Sequence, residues 1–410
     1  MKYAVVISDG MADAPIEALN GKTPMEFANT PCMDSLSLKS EIGTVKNVPD
    51  TLPPGSDTAI LSIFGCDPVK YYSGRSPLEA AGSGVILKEN EVSFRVNMVA
   101  LSEEESDFNE KIIYSHSGDN IEGEDSIALM KSLLEDEAFL NMTRELNMRF
   151  SLNPSFRHIG IAADIEVPEN GFVPPHDILG SRIGTYVNAP DDKVSKIQRR
   201  IMEHAYEVLN VHPVNAKRRK EGKKAANSLW FWGAGRGIQL PDFEKNYGKQ
   251  GAVITAVPLV EGIAALSGMK SIKVEGATGE INTNYAGKVC AALDALRNGA
   301  DVAVVHIEAP DECSHMGDME SKIKAIELVD SEVVCPLAQG LAELGDFRLL
   351  VLPDHPTLLS TRTHDGTPVP YMLYDSTQNL SDGLKFSESD AKNGKFFAQG
   401  HMLIREFLSE

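Results

Sequence analysis

Six side chains of types that bind metal ions stand just beyond short apolar runs of this chain. They are Asp9, Asp311, His315, Asp354, His355 and His364. Carboxylate oxygens combined with imidazole nitrogens suit manganese or zinc, suit calcium poorly, and accept magnesium if more water is retained. Two such ions can stabilise both the attacking and the leaving oxygen of an in-line phosphoryl displacement. The residue types therefore predict a metal site for phosphoryl chemistry.

The elements that must position these residues are the apolar runs themselves. Residues 4–7, 302–305 and 349–352 are short and rich in valine, isoleucine and leucine, a pattern typical of strands buried on both faces of a parallel sheet. Such sheets place their chemistry beyond the carboxyl ends of the strands. We therefore expect three aspartates and three histidines to converge at one edge of a single sheet, as a two-metal site.

Taken singly, these residues have ordinary alternatives. Asp311 and His315 are four residues apart, which makes them neighbours if the segment is helical, but a surface pair has the same spacing. Asp354 and His355 are adjacent at a strand end and point in different directions, so geometry alone allows them to serve two metals. The prolines on either side of this pair also fit a simple turn.

Ser56 is the candidate nucleophile. It follows Pro53, Pro54 and Gly55 and is predicted to begin a helix, where backbone N–H groups and the helix dipole favour an incoming phosphate. A serine bound to a metal can lose its proton near neutral pH without a histidine base. An ordinary N-cap at Ser56 or Asp57 is compatible with this role, because both functions require the same position.

Composition limits the classes of partner. The chain has 410 residues, with 42% hydrophobic and 24% charged, as in ordinary globular proteins. Its net charge of −20 disfavours binding to nucleic acid or to acidic membranes. It has no apolar stretch near the roughly 18 residues of a membrane span and no secretory signal pattern, so we expect a cytoplasmic protein. Five cysteines without CxxC spacing argue against a disulfide framework.

The order of predicted elements indicates an α/β core interrupted by a second domain. Strand and helix signals alternate in the first eighty residues and again from residue 229, where candidate strands at 229–233, 252–255, 271–274, 303–305 and 349–352 enclose helices at 283–296 and 323–338. We place the core at residues 1–88 and 216–410 and a smaller inserted α+β domain at 89–215. The insertion has helical patterns near 127–149 and 192–209 and a strand near 157–162.

Several strings make the chain resemble the archaeal-type cofactor-independent phosphoglycerate mutases of the alkaline phosphatase superfamily. The strings are SDGM (residues 8–11), GSDTA (55–59), GRSPLEA (74–80), FRH (156–158), PHDI (175–178), GATG (276–279) and HIEAPD (306–311). The resemblance implies an alkaline-phosphatase-like core with a mainly parallel sheet between helices. It also implies one metal bound by Asp9, Ser56, Asp354 and His355 and a second bound by Asp311, His315 and His364.

The same resemblance implies a function. The enzyme would interconvert 2-phosphoglycerate and 3-phosphoglycerate through a phosphoserine at Ser56, with two divalent ions, manganese favoured and zinc or magnesium as alternatives, and without 2,3-bisphosphoglycerate. Arg157, His176, Arg182 and Arg236 are the candidates for binding substrate, because arginine matches carboxylate and phosphate bidentately. The inserted domain is expected to keep water from the intermediate.

Two alternatives use the same residues. A metal-dependent phosphatase or phosphonate hydrolase would use Ser56 but release inorganic phosphate, and a catalytically silent metal-binding protein would keep the fold without turnover. The sequence leaves open whether the chain forms a homo-oligomer.

Overall fold

The computed structural model describes residues 1–169 and 171–409. Along them the strands are β1 (Lys2–Ser8), β2 (Glu41–Val45), β3 (Glu91–Leu101), β4 (Ile113–Ser115), β5 (Arg149–Ser151), β6 (Arg157–Ala163), β7 (Ser228–Arg236), β8 (Gly251–Ile254), β9 (Lys270–Ile272), β10 (Val302–Ile307), β11 (Phe347–Leu352), β12 (Thr357–Leu358), β13 (Thr363–His364), β14 (Val369–Asp375) and β15 (Lys395–Phe397).

The helices are α1 (Pro24–Phe27), α2 (Pro31–Ser37), α3 (Ser56–Ile63), α4 (Pro68–Tyr71), α5 (Arg75–Gly82), α6 (Gly123–Glu135), α7 (Glu137–Arg144), α8 (Gly184–Val187), α9 (Lys193–Asn210), α10 (Pro213–Lys220), α11 (Phe243–Tyr247), α12 (Pro258–Leu266), α13 (Tyr285–Arg297), α14 (Ala309–Met316), α15 (Met319–Leu328), α16 (Cys335–Leu344), α17 (Glu388–Ala391) and α18 (Leu403–Leu408). A π-helical segment, Val329–Val334, joins α15 to α16. The helix predicted at 323–338 is thus one part of a longer helical stretch. None of the helices described is long and apolar enough to cross a membrane.

The chain divides into two compact units. The core unit comprises Met1–Tyr72 and Gln239–Glu410, and the inserted unit comprises Ser73–Ile238. These boundaries differ from those at 88/89 and 215/216 in the sequence analysis. The difference has a structural reason, because α5 packs on β3 and β7 of the inserted unit, so both flanks of the predicted insertion belong with it.

The core unit has a mixed sheet that is mainly parallel, with strand order β15-β2-β14-β11-β1-β10-β8-β9. The strands from β11 to β9 run parallel, and β14 is antiparallel to both of its neighbours. All residues of β10 are buried, as are the last six of β1. The predicted α/β class and parallel sheet are confirmed, since strands covered by helices on both faces need such continuous apolar runs.

The inserted unit is built on an antiparallel sheet. Its long central strand β3 pairs with β4 and β6 and also with β7. The run at 229–233 was expected to be a core strand, but it forms part of β7 in this second sheet. An apolar run shows that a strand is buried without showing which sheet it joins.

The helix predicted near 127–149 is broken into α6 and α7 at Asp136, whose side chain caps α7 by accepting the Phe139 N–H at 2.8 Å.

Candidate metal centre

The predicted metal ligands of the core unit follow adjacent parallel strands. Asp9 follows β1, and β1 lies between β10 and β11. The register pairs Ser8 with Ile307 and Ile7 with Leu352, so the carboxyl ends of the three strands are level. The segments that leave β10 and β11 therefore begin beside Asp9, which is the convergence that the strand pattern predicts.

Short elements beyond the strands position the remaining ligands. Asp311 and His315 lie on α14, one turn apart, and Ser56 is the first residue of α3. His364 was expected in a loop, and it lies instead on the two-residue strand β13, where it pairs with Thr357 of β12. This small hairpin fixes His364 without placing its polar segment in the main sheet.

The first ligand group consists of Asp9, Ser56, Asp354 and His355. The His355 Nε2 atom lies 3.2 Å from Asp354 Oδ2 and 3.6 Å from Asp9 Oδ1. The Ser56 hydroxyl lies 3.1 Å from His355 Nε2 and 3.4 Å from Asp9 Oδ2. Asp9, Asp354 and His355 are buried. The nucleophile candidate therefore contacts the ligand atoms directly.

The second ligand group consists of Asp311, His315 and His364. The His315 Nε2 atom lies 3.2 Å from Asp311 Oδ2 and 3.0 Å from His364 Nε2. His364 Nε2 is 3.6 Å from Asp311 Oδ1. The rings of His355 and His364 have centroids 4.2 Å apart, so the two groups are neighbours.

Two buried carboxylate oxygens of the first group test whether a cation fits. Asp354 Oδ1 accepts hydrogen bonds from the Gly10 N–H at 3.1 Å and the His355 N–H at 2.8 Å. Asp9 Oδ2 is contacted by His306 Nε2 at 3.1 Å. Within the described residues, the other oxygens, Asp9 Oδ1 and Asp354 Oδ2, are buried without a hydrogen-bond partner. Unsatisfied buried acceptors are costly, and a divalent cation would satisfy both, so the residues fit a metal.

The electrostatics agree with a site for cations. Burial, with Asp354 and Asp311 nearby, raises the pKa of Asp9 well above its usual value. Burial acts in the same direction on Asp311, but hydrogen bonds from His315 and His364 hold its pKa well below the usual range. The hydrogen bond to Asp311 raises the pKa of His315 to about 9. The clustered carboxylates and histidines that shift these pKa values must be deprotonated to bind a metal ion.

Gly10 allows the strand-end segments to approach closely. Its φ is +60°, and a Cβ atom there would lie 2.6 Å from Asp311 Oδ1 and 2.7 Å from Thr357 Oγ1. Glycine adopts this left-handed conformation without steric cost. Glycine is therefore required at position 10 by close packing against Asp311 and Thr357.

In the inserted unit, two of the predicted substrate-binding residues lie in a cluster of cations. The rings of His176 and His116 have centroids 6.0 Å apart, and His176 also packs on Trp232 at 5.3 Å. Burial lowers the pKa of both histidines, and the nearby charges of Arg157 and Arg95 act in the same direction. The cluster thus combines guanidinium groups with imidazoles that tend to stay neutral.

One carboxylate balances part of this charge. Glu79 Oε2 pairs with Arg95 Nε at 2.8 Å and Glu79 Oε1 with Arg75 Nε at 2.9 Å. Although burial opposes it, these arginines lower the pKa of Glu79. Asp177, whose Oδ1 lies 3.6 Å from His176 Nε2, is a second carboxylate nearby. With three arginines against these two carboxylates, the cluster keeps a positive balance suited to an anion.

The other two predicted substrate-binding residues lie outside the cluster. Arg182 is exposed and pairs with Glu110 at 2.6 Å. Arg236 ends β7 and lines a cavity of about 760 Å³ that also contains Glu145, Asp164 and Asp192. The acidic lining makes this cavity a poor place for a phosphate.

Several buried residues at the core site were missed from the sequence. His306 contacts Asp9 from β10, and Lys322 of α15 donates hydrogen bonds to Thr357 O at 2.8 Å, Asp13 Oδ2 at 2.8 Å and Ala12 O at 3.3 Å. A histidine inside an apolar strand was a usable signal for His306. Lys322 gave none, because it lies in a helix with other charged residues.

Comparison with known proteins shows which family this chain is similar to. The family model described as 2,3-bisphosphoglycerate-independent phosphoglycerate mutase matches residues 38–215. Proteins of that name from Methanosarcina mazei and Methanothrix thermoacetophila are 43% and 42% identical, over 96% and 100% of both chains respectively.

Solved structures have the same fold. A protein from Pyrococcus horikoshii superposes with a TM-score of 0.78 at 30% identity, over 100% of this chain and 98% of that chain. The cofactor-independent phosphoglycerate mutase from Thermoplasma acidophilum superposes with a TM-score of 0.61 at 22% identity, over the full length of both chains.

Proposed function

This chain belongs to the 2,3-bisphosphoglycerate-independent phosphoglycerate mutases, and we propose that its interconversion of 2-phosphoglycerate and 3-phosphoglycerate passes through a phosphoserine at Ser56. The observation that carries the proposal is the position of the Ser56 hydroxyl, 3.1 Å from His355 Nε2 and 3.4 Å from Asp9 Oδ2, on the first residue of α3. Independence from 2,3-bisphosphoglycerate follows from the family.

Asp9, Ser56, Asp354 and His355 would hold one divalent ion, and Asp311, His315 and His364 would hold the other. Bound there, the ions would favour ionisation of the serine and neutralise charge on the phosphoryl oxygens. We retain manganese as the favoured metal, with zinc or magnesium as alternatives, and a cytoplasmic location as predictions from the sequence.

The reaction transfers the phosphoryl group twice, first to Ser56 and then back to glycerate. The Ser56 Oγ atom forms a bond with phosphorus as the bond to one glycerate oxygen breaks, and that oxygen takes a proton. The other glycerate hydroxyl then loses its proton and attacks the phosphoserine, and Ser56 Oγ leaves. No water is consumed, and the positive end of the helix dipole of α3, which begins at Ser56, favours the negative charge of the phosphoryl group.

Arg157 and His176 are our leading candidates for binding the substrate's anionic groups, because they lie in the cation cluster with Arg95. Arg182 and Arg236 remain predictions of the sequence with less support, since one is paired with a glutamate and the other lines an acidic cavity.

Replacing Arg157 by Gln should raise KM more than it lowers kcat, as loss of uniform binding does. Arg182→Gln is the matched control and should have a smaller effect.

A phosphatase would use the same serine but pass the phosphoryl group to water. Family membership does not favour that reading, and the two activities differ in their products. Purified protein is incubated with 3-phosphoglycerate and manganese, without 2,3-bisphosphoglycerate, and both 2-phosphoglycerate and free phosphate are followed. We expect mainly the isomer. Free phosphate as the main product would contradict the proposal.

Ser56→Ala tests the nucleophile in the same assay. Without the hydroxyl no phosphoserine can form, so turnover should fall to background while the fold is retained. Ser35→Ala, which changes an exposed serine of α2, should leave turnover unchanged. Substantial activity in Ser56→Ala would exclude the proposed intermediate.

A further inference from the structure

His306 is a buried histidine that the reaction described above does not use. It lies near the end of β10, its side chain is 0% exposed, and its ring lies between two polar partners. Nε2 is 3.1 Å from Asp9 Oδ2, and Nδ1 is 3.2 Å from Thr255 Oγ1. A polar ring at such a position needs both of its nitrogens satisfied.

The hydrogen bonds define which ring nitrogen carries the proton. An ionised Asp9 carboxylate can only accept, so His306 Nε2 donates to Asp9 Oδ2. In a neutral ring Nδ1 then accepts from the Thr255 hydroxyl, whose Oγ1 in turn accepts the Val257 N–H at 3.1 Å. His306 Nδ1 is then an acceptor, and the neutral ring carries its proton on Nε2, directed at the Asp9 carboxylate.

The backbone of His306 is fixed as well. Lys288 of α13 is buried, and its Nζ atom donates a hydrogen bond to the His306 carbonyl at 3.0 Å. Strand pairing of Ile7 with His306 sets the ring beside the end of β1. The strand, Lys288 and Thr255 therefore fix the position of the imidazole independently of its contact with Asp9.

The consequence appears at Asp9. Its Oδ2 atom accepts from His306, whereas Oδ1 is buried without a hydrogen-bond partner among the residues described. Loss of a side-chain partner that orients a metal ligand typically costs about 10- to 100-fold in metal affinity or activity. A carboxylate free to rotate would lose this orientation and would bind the ion less well.

We propose that His306 is a positioning residue for the metal bound by Asp9, with its Nε2–H fixing the carboxylate so that Oδ1 faces the ion, and with Thr255 fixing the tautomer. The inference rests on the proposed function, because it requires a metal in the first ligand group. It concerns one of the two metals, since His306 touches the ligand set through Asp9.

Manganese binding to three variants tests the inference. His306→Leu removes the donor and should weaken Mn²⁺ binding at one of two sites by about 10- to 100-fold, with the other site unchanged. His306→Gln keeps an N–H donor near the Nε2 position and should bind close to wild type. Thr255→Val removes the donor to Nδ1 without touching a ligand, and should weaken one site by a smaller factor.

Free Mn²⁺ is followed by electron paramagnetic resonance during titration of each metal-free protein. The inference is supported if wild type binds two ions and His306→Leu retains one tight site while His306→Gln retains both. The activity of His306→Leu should recover as Mn²⁺ is raised, which a purely structural defect would not show. The inference is overturned if His306→Leu binds two Mn²⁺ ions as tightly as wild type, or if it loses both sites. It is also overturned if His306→Gln binds Mn²⁺ as weakly as His306→Leu.

If His306→Leu does not fold, the other two variants decide. Weakening of one site in Thr255→Val but not in His306→Gln supports the inference, and wild-type binding by Thr255→Val overturns it. Wild-type protein that binds fewer than two Mn²⁺ ions contradicts the two-metal site itself, and the inference fails with it. Failure of the two-metal site can be told apart from failure of the role of His306, because it is seen in the wild-type protein alone.

Discussion

At the residue scale, the two buried aspartates of the first ligand group share one arrangement. One oxygen of each is held by N–H donors, His306 for Asp9 and the Gly10 and His355 amides for Asp354, and the other oxygen has no hydrogen-bond partner among the described residues. Fixed donors on one oxygen orient the other, so the side chains are set for a cation before it binds. Pre-orientation of this kind lowers the cost of binding.

Gly10→Ala should damage the site through packing. The new methyl would lie 2.6 Å from Asp311 Oδ1 and 2.8 Å from the Asp311 Cα atom, so α14 or the segment after β1 must move. Displacements of about 1 Å can cost about 100-fold in rate, and we expect a loss of that order in kcat/KM. Gly21→Ala is the control, because its φ is +77° but nothing lies within 4 Å of the added Cβ. Equal activity of the two variants would refute this account.

Lys322→Met should destabilise the core unit. Lys322 is fully buried and pairs with Asp13 at 2.8 Å, so its loss leaves a buried carboxylate without its cation, which costs about 3–5 kcal/mol. Urea unfolding of the metal-free protein measures the change. Asp13→Asn combined with Lys322→Met removes the uncompensated charge and should recover part of the loss. No recovery in the double variant would argue against the ion pair as the cause.

The sequence allowed the candidate ligands to be proposed because each one follows an apolar run or lies in a distinctive string. It did not allow the residues behind them to be found. Lys322 contacts Asp13 and Thr357, which are distant in sequence, and only the folded chain brings these partners together. Arg95 and His116 were missed for the same reason, because β3 and the segment after β4 give no sign of a shared cluster.

At the element scale, function depends on strand ends that are level with one another. β1, β10 and β11 are parallel neighbours, so the segments leaving them meet, and α3 adds Ser56 from its first residue. This part was predictable, because a buried parallel strand has a recognisable composition. The place of β7 was not, because its apolar run pairs with β3 through contacts that no local pattern encodes.

In the inserted unit, His158 of β6 connects its strand to α6. Its Nδ1 atom accepts the Asn153 N–H at 3.2 Å, and its Nε2 atom lies 3.1 Å from Ser126 Oγ, whose proton goes to Ser155 O. The neutral ring therefore has both nitrogens satisfied, and a second proton would face the Asn153 N–H. Burial lowers the pKa of His158 to about 4.

The pH dependence of stability follows from this shift. The unfolded chain takes up the proton near pH 6.5 and the folded chain only near pH 4, so the unfolded state binds more protons between these values and stability falls as pH falls through this window. The loss attributable to His158 is about 3 kcal/mol at most. His158→Gln should make the free energy of urea unfolding less dependent on pH between 6.5 and 4. An unchanged slope would show that His158 is not responsible.

At the scale of the whole molecule, the chain separates metal ligands from cationic side chains. The core unit carries the carboxylates and histidines of both predicted ligand groups, and the inserted unit carries the cluster of Arg157, Arg95 and His176. The predicted two-part organisation followed from the change in pattern along the chain. The boundaries were harder to predict, because α5 and β7 have local signals like those of core elements and are distinguished by their long-range partners.

Metal removal should lower the stability of the whole protein. An ion that binds the folded state alone adds about 2.7 kcal/mol for each site at a concentration 100 times its Kd. Chelation should therefore lower Tm, and Mn²⁺ should restore it. The double variant Asp9→Asn and Asp354→Asn should respond less, because the first ligand group is lost while the second remains. An equal change in Tm in wild type and in the double variant would show that the stabilising ion does not bind at the first ligand group.

The central claim is that Ser56 carries the phosphoryl group between the two positions of glycerate. It is tested most directly by mixing the manganese-loaded enzyme with 3-phosphoglycerate labelled in its phosphoryl group, quenching within a turnover and locating the label in the digested protein. We predict label on the peptide that contains Ser56, at the serine itself, which disappears from the protein as 2-phosphoglycerate forms. Label on another residue, or isomer formed with the protein unlabelled at every time, would contradict the account.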